Sequence, residues 1–200
     1  MQLLICTFDY RKLVNKMKTS TIILTEEDYI QFELGSEIRH ELINETLIDM
    51  PGDSPIHNFI TGTFYIIFRQ LLKGTDYIVF MEDVKLKIPD EKKYFYPDIF
   101  ITKEKFNPST GYILNNAELI VEVLSPSTRL FDTVDKFIEY KKIPSLKYYL
   151  LAEPERQYIN CFFKNDEGVW ESVIYTELGE KIELPAFKNI SFYLKDIYQP

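Results

Sequence analysis

Apolar residues fill every position but one in Leu119-Ile120-Val121-Glu122-Val123-Leu124, and the exception is a carboxylate. A run that is apolar at consecutive positions predicts a central strand covered on both faces. Elsewhere the pattern moves between the two-residue and the 3.6-residue period. Thr25-Glu26-Glu27-Asp28 predicts a helix start, with a hydroxyl cap and acids in the first turn. Residues 38–50 predict two short strands around Asn44-Glu45. Ser54-Pro55 supplies a cap followed by proline at the first helical position. Ile56, Phe59, Ile60, Thr63, Ile67 and Leu71 continue that helix until Gly74. Val84, Leu86 and Ile88 alternate with Lys85 and Lys87, the pattern of a half-exposed strand. Strands follow over 94–102, 118–124 and 146–152, with a helix over 132–142. Residues 158–163 and 169–175 form a predicted hairpin around Asn165-Asp166-Glu167-Gly168. This order predicts an α/β fold, one domain over 21–200 with a mixed β-sheet flanked by helices and an added C-terminal β-hairpin. Residues 1–20 read as an N-terminal extension, with Met17 as an alternative start.

Composition narrows the class of protein. A chain of 200 residues can bury one sizeable core. No apolar stretch approaches the ~20 residues of a membrane helix. The apolar start, Met1 to Cys6, has no basic residue before it, so no secretory signal is expected. Cys6 and Cys161 are too few for a disulfide framework, and a reducing cytoplasm is the expected location. The formal net charge of −8 opposes sequence-blind adhesion to nucleic acid. It still leaves room for a local basic groove drawn from Arg11, Lys12, Lys16, Lys18, Lys85, Lys87, Lys141 and Lys142.

The candidate chemistry starts at Glu122. A lone carboxylate inside a buried strand is costly unless paired, hydrogen-bonded or bound to a metal. Glu122 is therefore either a structural ion, paired with Arg129 or Lys136, or a working group. Asp98, in Tyr96-Pro97-Asp98-Ile99, repeats the arrangement at the mouth of a second β-rich run, although Pro-Asp also opens turns. His57 falls in the first turn of its helix, suited either to proton transfer and outer hydrogen bonding or to a structural role. Glu41 lies in a strand, either facing a site as an auxiliary acid or facing solvent, and His40 beside it is expected to be exposed. Asp132, Lys136 and Tyr140 share one stripe of their helix, opposite Val134, Phe137 and Ile138. Periodicity alone makes Lys136 a solvated residue paired with Asp132. The cysteines and histidines have no zinc-site spacing, and neither a Gly-rich phosphate loop nor a Gly-x-Ser-x-Gly elbow occurs.

Read together, these segments resemble the Uma-type family of endonucleases in the PD-(D/E)xK, restriction-endonuclease-like superfamily. The matching residues are His40-Glu41-Leu42-Ile43, Ser54-Pro55-Ile56-His57, Tyr96-Pro97-Asp98-Ile99 and Glu118 through Thr128, then Asp132 through Lys136, Tyr140 and Lys147 through Leu151. Val121-Glu122-Val123-Leu124-Ser125-Pro126-Ser127-Thr128 is the specific part. The resemblance implies a restriction-endonuclease-like core and DNA phosphodiester hydrolysis by metal-activated water. Mg2+ would be the ion, with Mn2+ as substitute, because a hard cation takes oxygen ligands and lowers the pKa of bound water. Asp98, Glu122 and the Val123 carbonyl would hold it. The superfamily's lysine usually lies two residues after the second acid, which here is Leu124. The resemblance implies that Lys136, on the next helix, takes its role, with Glu41 and His57 secondary.

Two further readings stand beside that one. A catalytically inactive nuclease fold, used as a binding or regulatory protein, would suit the acidic charge and the displaced lysine. A metal-dependent hydrolase of small phosphate esters would share the site without a DNA groove. Cutting both strands of a duplex would suit a homodimer.

Overall fold

The computed structural model describes residues 25–50, 52–105, 113–126, 129–187 and 190–199. The chain divides into two compact units, residues 1–51 with 92–94 and residues 52–91 with 95–200. The expected N-terminal extension lies outside the described residues, as do Cys6 and the basic residues at 11, 12, 16 and 18.

In the first unit, helix α1 (Glu26–Leu34) opens as its sequence predicts. Thr25 caps it, and Asp28 closes the reciprocal capping box. Strands β1 (His40–Ile43) and β2 (Thr46–Asp49) form an antiparallel hairpin. Asn44 and Glu45 make its two-residue turn, both at positive φ, as this tight a hairpin requires. His40 is buried, correcting the expectation of exposure. Its backbone N–H donates to Glu33 Oε1 and its Nδ1 lies 3.0 Å from Glu33 Oε2. The ring also meets Phe32 edge-on at 4.9 Å. Glu41 is buried on β1, which removes the solvent-facing alternative. Tyr29 donates its hydroxyl to the His40 carbonyl, and Tyr94 donates to Glu26.

The second unit carries the central sheet. Helix α2 (Pro55–Leu71) starts at the Ser54 cap with proline in its first turn. It ends just before Gly74, whose φ of 79° turns the chain. Strands β3 (Ile78–Met81) and β4 (Lys85–Lys87) follow. The strand expected over 94–102 is broken into β5 (Tyr94–Phe95) and β6 (Ile99–Thr102). Pro97 lies in the break and has no N–H to give a ladder. Next come β7 (Ile113–Leu114), β8 (Leu119–Val123), β9 (Tyr148–Ala152), β10 (Ile159–Lys164) and β11 (Trp170–Tyr175). Six of these form a sheet in the order β11-β10-β9-β8-β6-β3. Its pairs are antiparallel except for β8 and β9, which run parallel, so the sheet is mixed as expected. β4 and β7 pair in parallel separately. A second hairpin, β12 (Lys181–Leu184) with β13 (Ile190–Tyr193), precedes the short helix α4 (Leu194–Tyr198).

Alternation along the strands gives the sheet two apolar faces. Ile99, Ile101, Leu119, Val121, Val123, Leu150 and Ala152 pack against Ile60, Phe64 and Phe68 of α2 and Phe192, Leu194 and Ile197 of the C-terminal segment. Burying each of the larger of these side chains contributes roughly 1.5–3 kcal/mol. Phe100, Ile120, Glu122, Tyr149 and Leu151 take the alternate positions. On that side Phe137 stacks on Tyr149 with centroids 5.0 Å apart and meets Phe162 and Trp170. Lys85 is buried, so β4 is not the half-exposed strand its alternation suggests. Its ammonium lies 5.3 Å from the centre of the Tyr96 ring, a cation–π contact that offsets part of the cost of burial.

Candidate functional site

The register of two strands sets the site. β6 and β8 run antiparallel with Ile99 opposite Val121, so Asp98, one residue beyond the end of β6, falls opposite Glu122. The two acids interlock through the backbone. Asp98 N–H donates to Glu122 Oε2 at 3.3 Å, and Val123 N–H donates to Asp98 Oδ2 at 2.6 Å. The apolar β8 run thus places Glu122 at 2% exposure, whereas the break at Pro97 leaves Asp98 partly open to solvent.

Lys136 reaches Glu122 from the segment joining β8 to β9. That helix begins as a π-helix (Phe131–Lys136) and continues as α3 (Phe137–Tyr140). The wider π turn is uncommon and frequently marks functional positions. Across it Asp132, Lys136 and Tyr140 are buried, while Val134 and Ile138 are exposed, at 43% and 50%. Periodicity alone is therefore wrong about Lys136, which is 6% exposed. The stripe that looks solvated faces a buried acid, and Glu122 supplies the polar environment that this face needs. Lys136 Nζ stands 3.4 Å from Glu122 Oε1 and 3.2 Å from Asp132 Oδ1. Tyr140 donates its hydroxyl to the same Glu122 oxygen at 2.8 Å. Tyr149 donates to the Asp132 carbonyl at 2.7 Å. Burial, then the negative charge of Glu122, holds the Tyr149 hydroxyl protonated well above its ordinary range. Of the two structural partners considered for Glu122, the structure supplies Lys136, while Arg129 pairs with Glu153.

His57 comes from the other layer, at the start of α2. The Ser54 hydroxyl accepts the His57 N–H and so fixes the first turn. The ring is buried rather than solvent-facing, with Nε2 3.3 Å from Asp98 Oδ2 and Nδ1 3.7 Å from Asp53 Oδ1. Burial lowers its pKa, but the hydrogen bond and charge of Asp98, the charge of Asp53 and the Val123 carbonyl outweigh it, pushing the pKa up to about 9. Asp53 escapes a reading of motifs in the sequence. Its one signal is the Asp53–His57 spacing of four across a helix start, which brings an exposed acid over the ring.

Asp98, Glu122, Val123, Lys136 and His57 are therefore gathered in the second unit, whereas Glu41 belongs to the first. Four carboxylates (Asp53, Asp98, Glu122 and Asp132) stand against one lysine and one histidine, so the cluster is electronegative. Asp53, His57 and Asp98 can each present a ligand atom, and these atoms lie within 4.8 Å of one another. His57 Nδ1 is buried and has no hydrogen-bond partner among the described residues. Excess negative charge and the convergence of donors from Asp53, His57 and Asp98 fit a divalent cation.

Comparison with known proteins follows the same lines. The family model described as "Uma2: Putative restriction endonuclease" matches residues 26–195. Uncharacterized protein slr1290 of Synechocystis sp. is 31% identical over 176 residues, covering 88% of this chain and 92% of its own length. Uncharacterized protein sll1609 of the same organism is 33% identical over 168 residues, covering 82% and 93%. A solved structure titled as a putative nuclease belonging to DUF820, from Anabaena variabilis, superimposes with a TM-score of 0.70. That likeness covers 88% of this chain and 97% of the other, at 18% identity, where the fold is what the two share.

Proposed function

The chain belongs to the Uma2 family of restriction-endonuclease-like proteins, and from that premise we propose that it is a metal-dependent endonuclease hydrolysing DNA phosphodiester bonds. The observation that carries this reading is the pair of acids interlocked across β6 and β8, with Lys136 3.4 Å from the second. Asp98 and Glu122 would hold the ion, with the Val123 carbonyl beside them. A divalent cation bound there would polarise the phosphate and lower the pKa of a water.

The remaining work falls to the chain's own residues. Tyr140 and Lys136 both donate to Glu122 Oε1 and hold that carboxylate in place. Lys136 offsets negative charge, first that of Glu122 and Asp132 and then that which develops on the phosphate. His57 flanks Asp98, with Nε2 3.3 Å from Oδ2. Polar groups held in this way would need little rearrangement during the reaction.

The test is plasmid nicking by purified protein with Mg2+ or Mn2+. Cleavage should be lost in Asp98→Asn and in Glu122→Gln. Equal cleavage by wild type and both variants would remove the assignment. One observation favours an inactive, DNA-binding nuclease fold instead: Lys136 is already committed to two buried carboxylates. On that reading calorimetry shows no metal isotherm, and a chelator leaves thermal stability unchanged.

A further inference from the structure

Asp98 has a neighbour that an all-oxygen magnesium site does not require. His57 is 4% exposed, and its Nδ1 is buried without a hydrogen-bond partner among the described residues. A cluster of acids alone would mean little, but a buried ring nitrogen left unsatisfied is costly and calls for a partner. That nitrogen is aimed at Asp53 Oδ1, 3.7 Å away, just beyond bonding reach. The other nitrogen, Nε2, stands 3.3 Å from Asp98 Oδ2. Two donors bound at right angles to one ion through ~2.1 Å bonds lie about 3 Å apart, so this pair already has the spacing of adjacent ligands.

We propose that His57 is a direct ligand, through Nε2, of the ion held by Asp98, with Asp53 accepting a hydrogen bond from Nδ1–H, and that this nitrogen makes the site select Mn2+ over Mg2+. The inference rests on the reading of Asp98 as a metal ligand. Mg2+ dehydrates reluctantly and prefers oxygen, whereas imidazole suits transition-series cations. A carboxylate on the far ring nitrogen fixes the tautomer and raises the basicity of the ligating one. On binding, Nε2 gives up its proton to solvent and its lone pair to the ion, while Asp53 keeps the Nδ1 proton. No electron transfer is involved.

The test uses the full chain, freed of metal by chelator and titrated separately with MnCl2 and MgCl2 by calorimetry. Pulsed electron paramagnetic resonance on the Mn2+-loaded protein then reads nitrogen coupling. Mn2+ should bind at least tenfold more tightly than Mg2+, with imidazole nitrogen coupling in the wild type. His57→Gln should abolish the coupling and weaken Mn2+ at least tenfold, while Mg2+ affinity changes less than threefold. Asp53→Asn should weaken Mn2+ about tenfold and keep the coupling. Saturable Mn2+ binding by the wild type without nitrogen coupling overturns this inference and leaves Asp98 and Glu122 as an oxygen-only site. Binding of neither ion overturns both readings. The coupling is measured on the wild-type protein, so a variant that fails to fold does not shield the inference.

Discussion

Replacing Lys136 with methionine removes one ammonium while keeping most of the length and apolar bulk of the side chain. In the native protein that ammonium stands 3.4 Å from Glu122 and 3.2 Å from Asp132, and all three groups are buried. At an effective dielectric of about 20, each contact is worth roughly 5 kcal/mol of Coulomb attraction. Relief of the lysine's own desolvation offsets much of that. Breaking a buried pair by removing one partner then costs about 3–5 kcal/mol, because the remaining charge stays uncompensated. Glu122 keeps the Tyr140 hydroxyl, which places the expected loss toward the lower end. Urea denaturation of the metal-free protein is the assay. With a slope of about 2 kcal/mol per molar, the midpoint should fall by about 1.5–2 M. The double variant Glu122→Gln, Lys136→Met should be at least ~1.5 kcal/mol more stable than the sum of the single losses predicts, since the two groups are in contact. A loss under ~1 kcal/mol in Lys136→Met, or strict additivity, would mean that solvent reaches the ammonium, and the reasoning would fail.

Three other outcomes can be checked. Tyr149→Phe removes the donor to the Asp132 carbonyl, so it should cost about 1–3 kcal/mol by denaturation and speed amide exchange along residues 131–136. Glu153 pairs with Arg129 and Arg156; the Arg129 hydrogen bond, set against burial, leaves its pKa lowered. Its stabilising effect is therefore present above the ordinary carboxylate range and lost as pH falls through the lower folded-state value. Both arginines are substantially exposed, so Glu153→Gln should cost only about 1 kcal/mol near pH 7. That difference should shrink below about pH 4, and one that grew with acid would contradict the sign. Burial pushes the Cys161 thiol up to about 12, so peptide mapping after iodoacetamide at pH 8 should find it unmodified until the protein unfolds.

Much of this architecture is legible in the residues because local signals agree with the final packing. Thr25 and Ser54 mark helix starts that the structure keeps, and the turn at Asn44-Glu45 has the backbone such a turn needs. The run at 119–124, apolar at every position but one, announces a buried strand, and its one polar residue is the one that gathers partners. What was not legible depends on tertiary neighbours. A stripe of Asp132, Lys136 and Tyr140 reads as a solvent face unless it is known that a carboxylate lies opposite. His40 looks exposed unless Glu33 is seen beside it, and Lys85 looks exposed unless the Tyr96 ring is seen. Asp53 carries no motif, because its relation to Asp98 exists only once β6 is laid beside the start of α2. Periodicity reports which residues could share a surface, and the partner across that surface decides whether it is wet or dry.

The parallel pairing of β8 with β9 has its own bearing on how this chain can vary. The polypeptide must leave one end of the sheet and come back to the other, and residues 129–140 lie along that return. An insertion or deletion there would shift the ammonium and the phenol against the acid they serve. The β10–β11 hairpin, by contrast, can lengthen at Asn165–Gly168 without disturbing either. Drift in chain length should therefore be tolerated at that outer loop and purged from the return path, a pattern of tolerance set by topology.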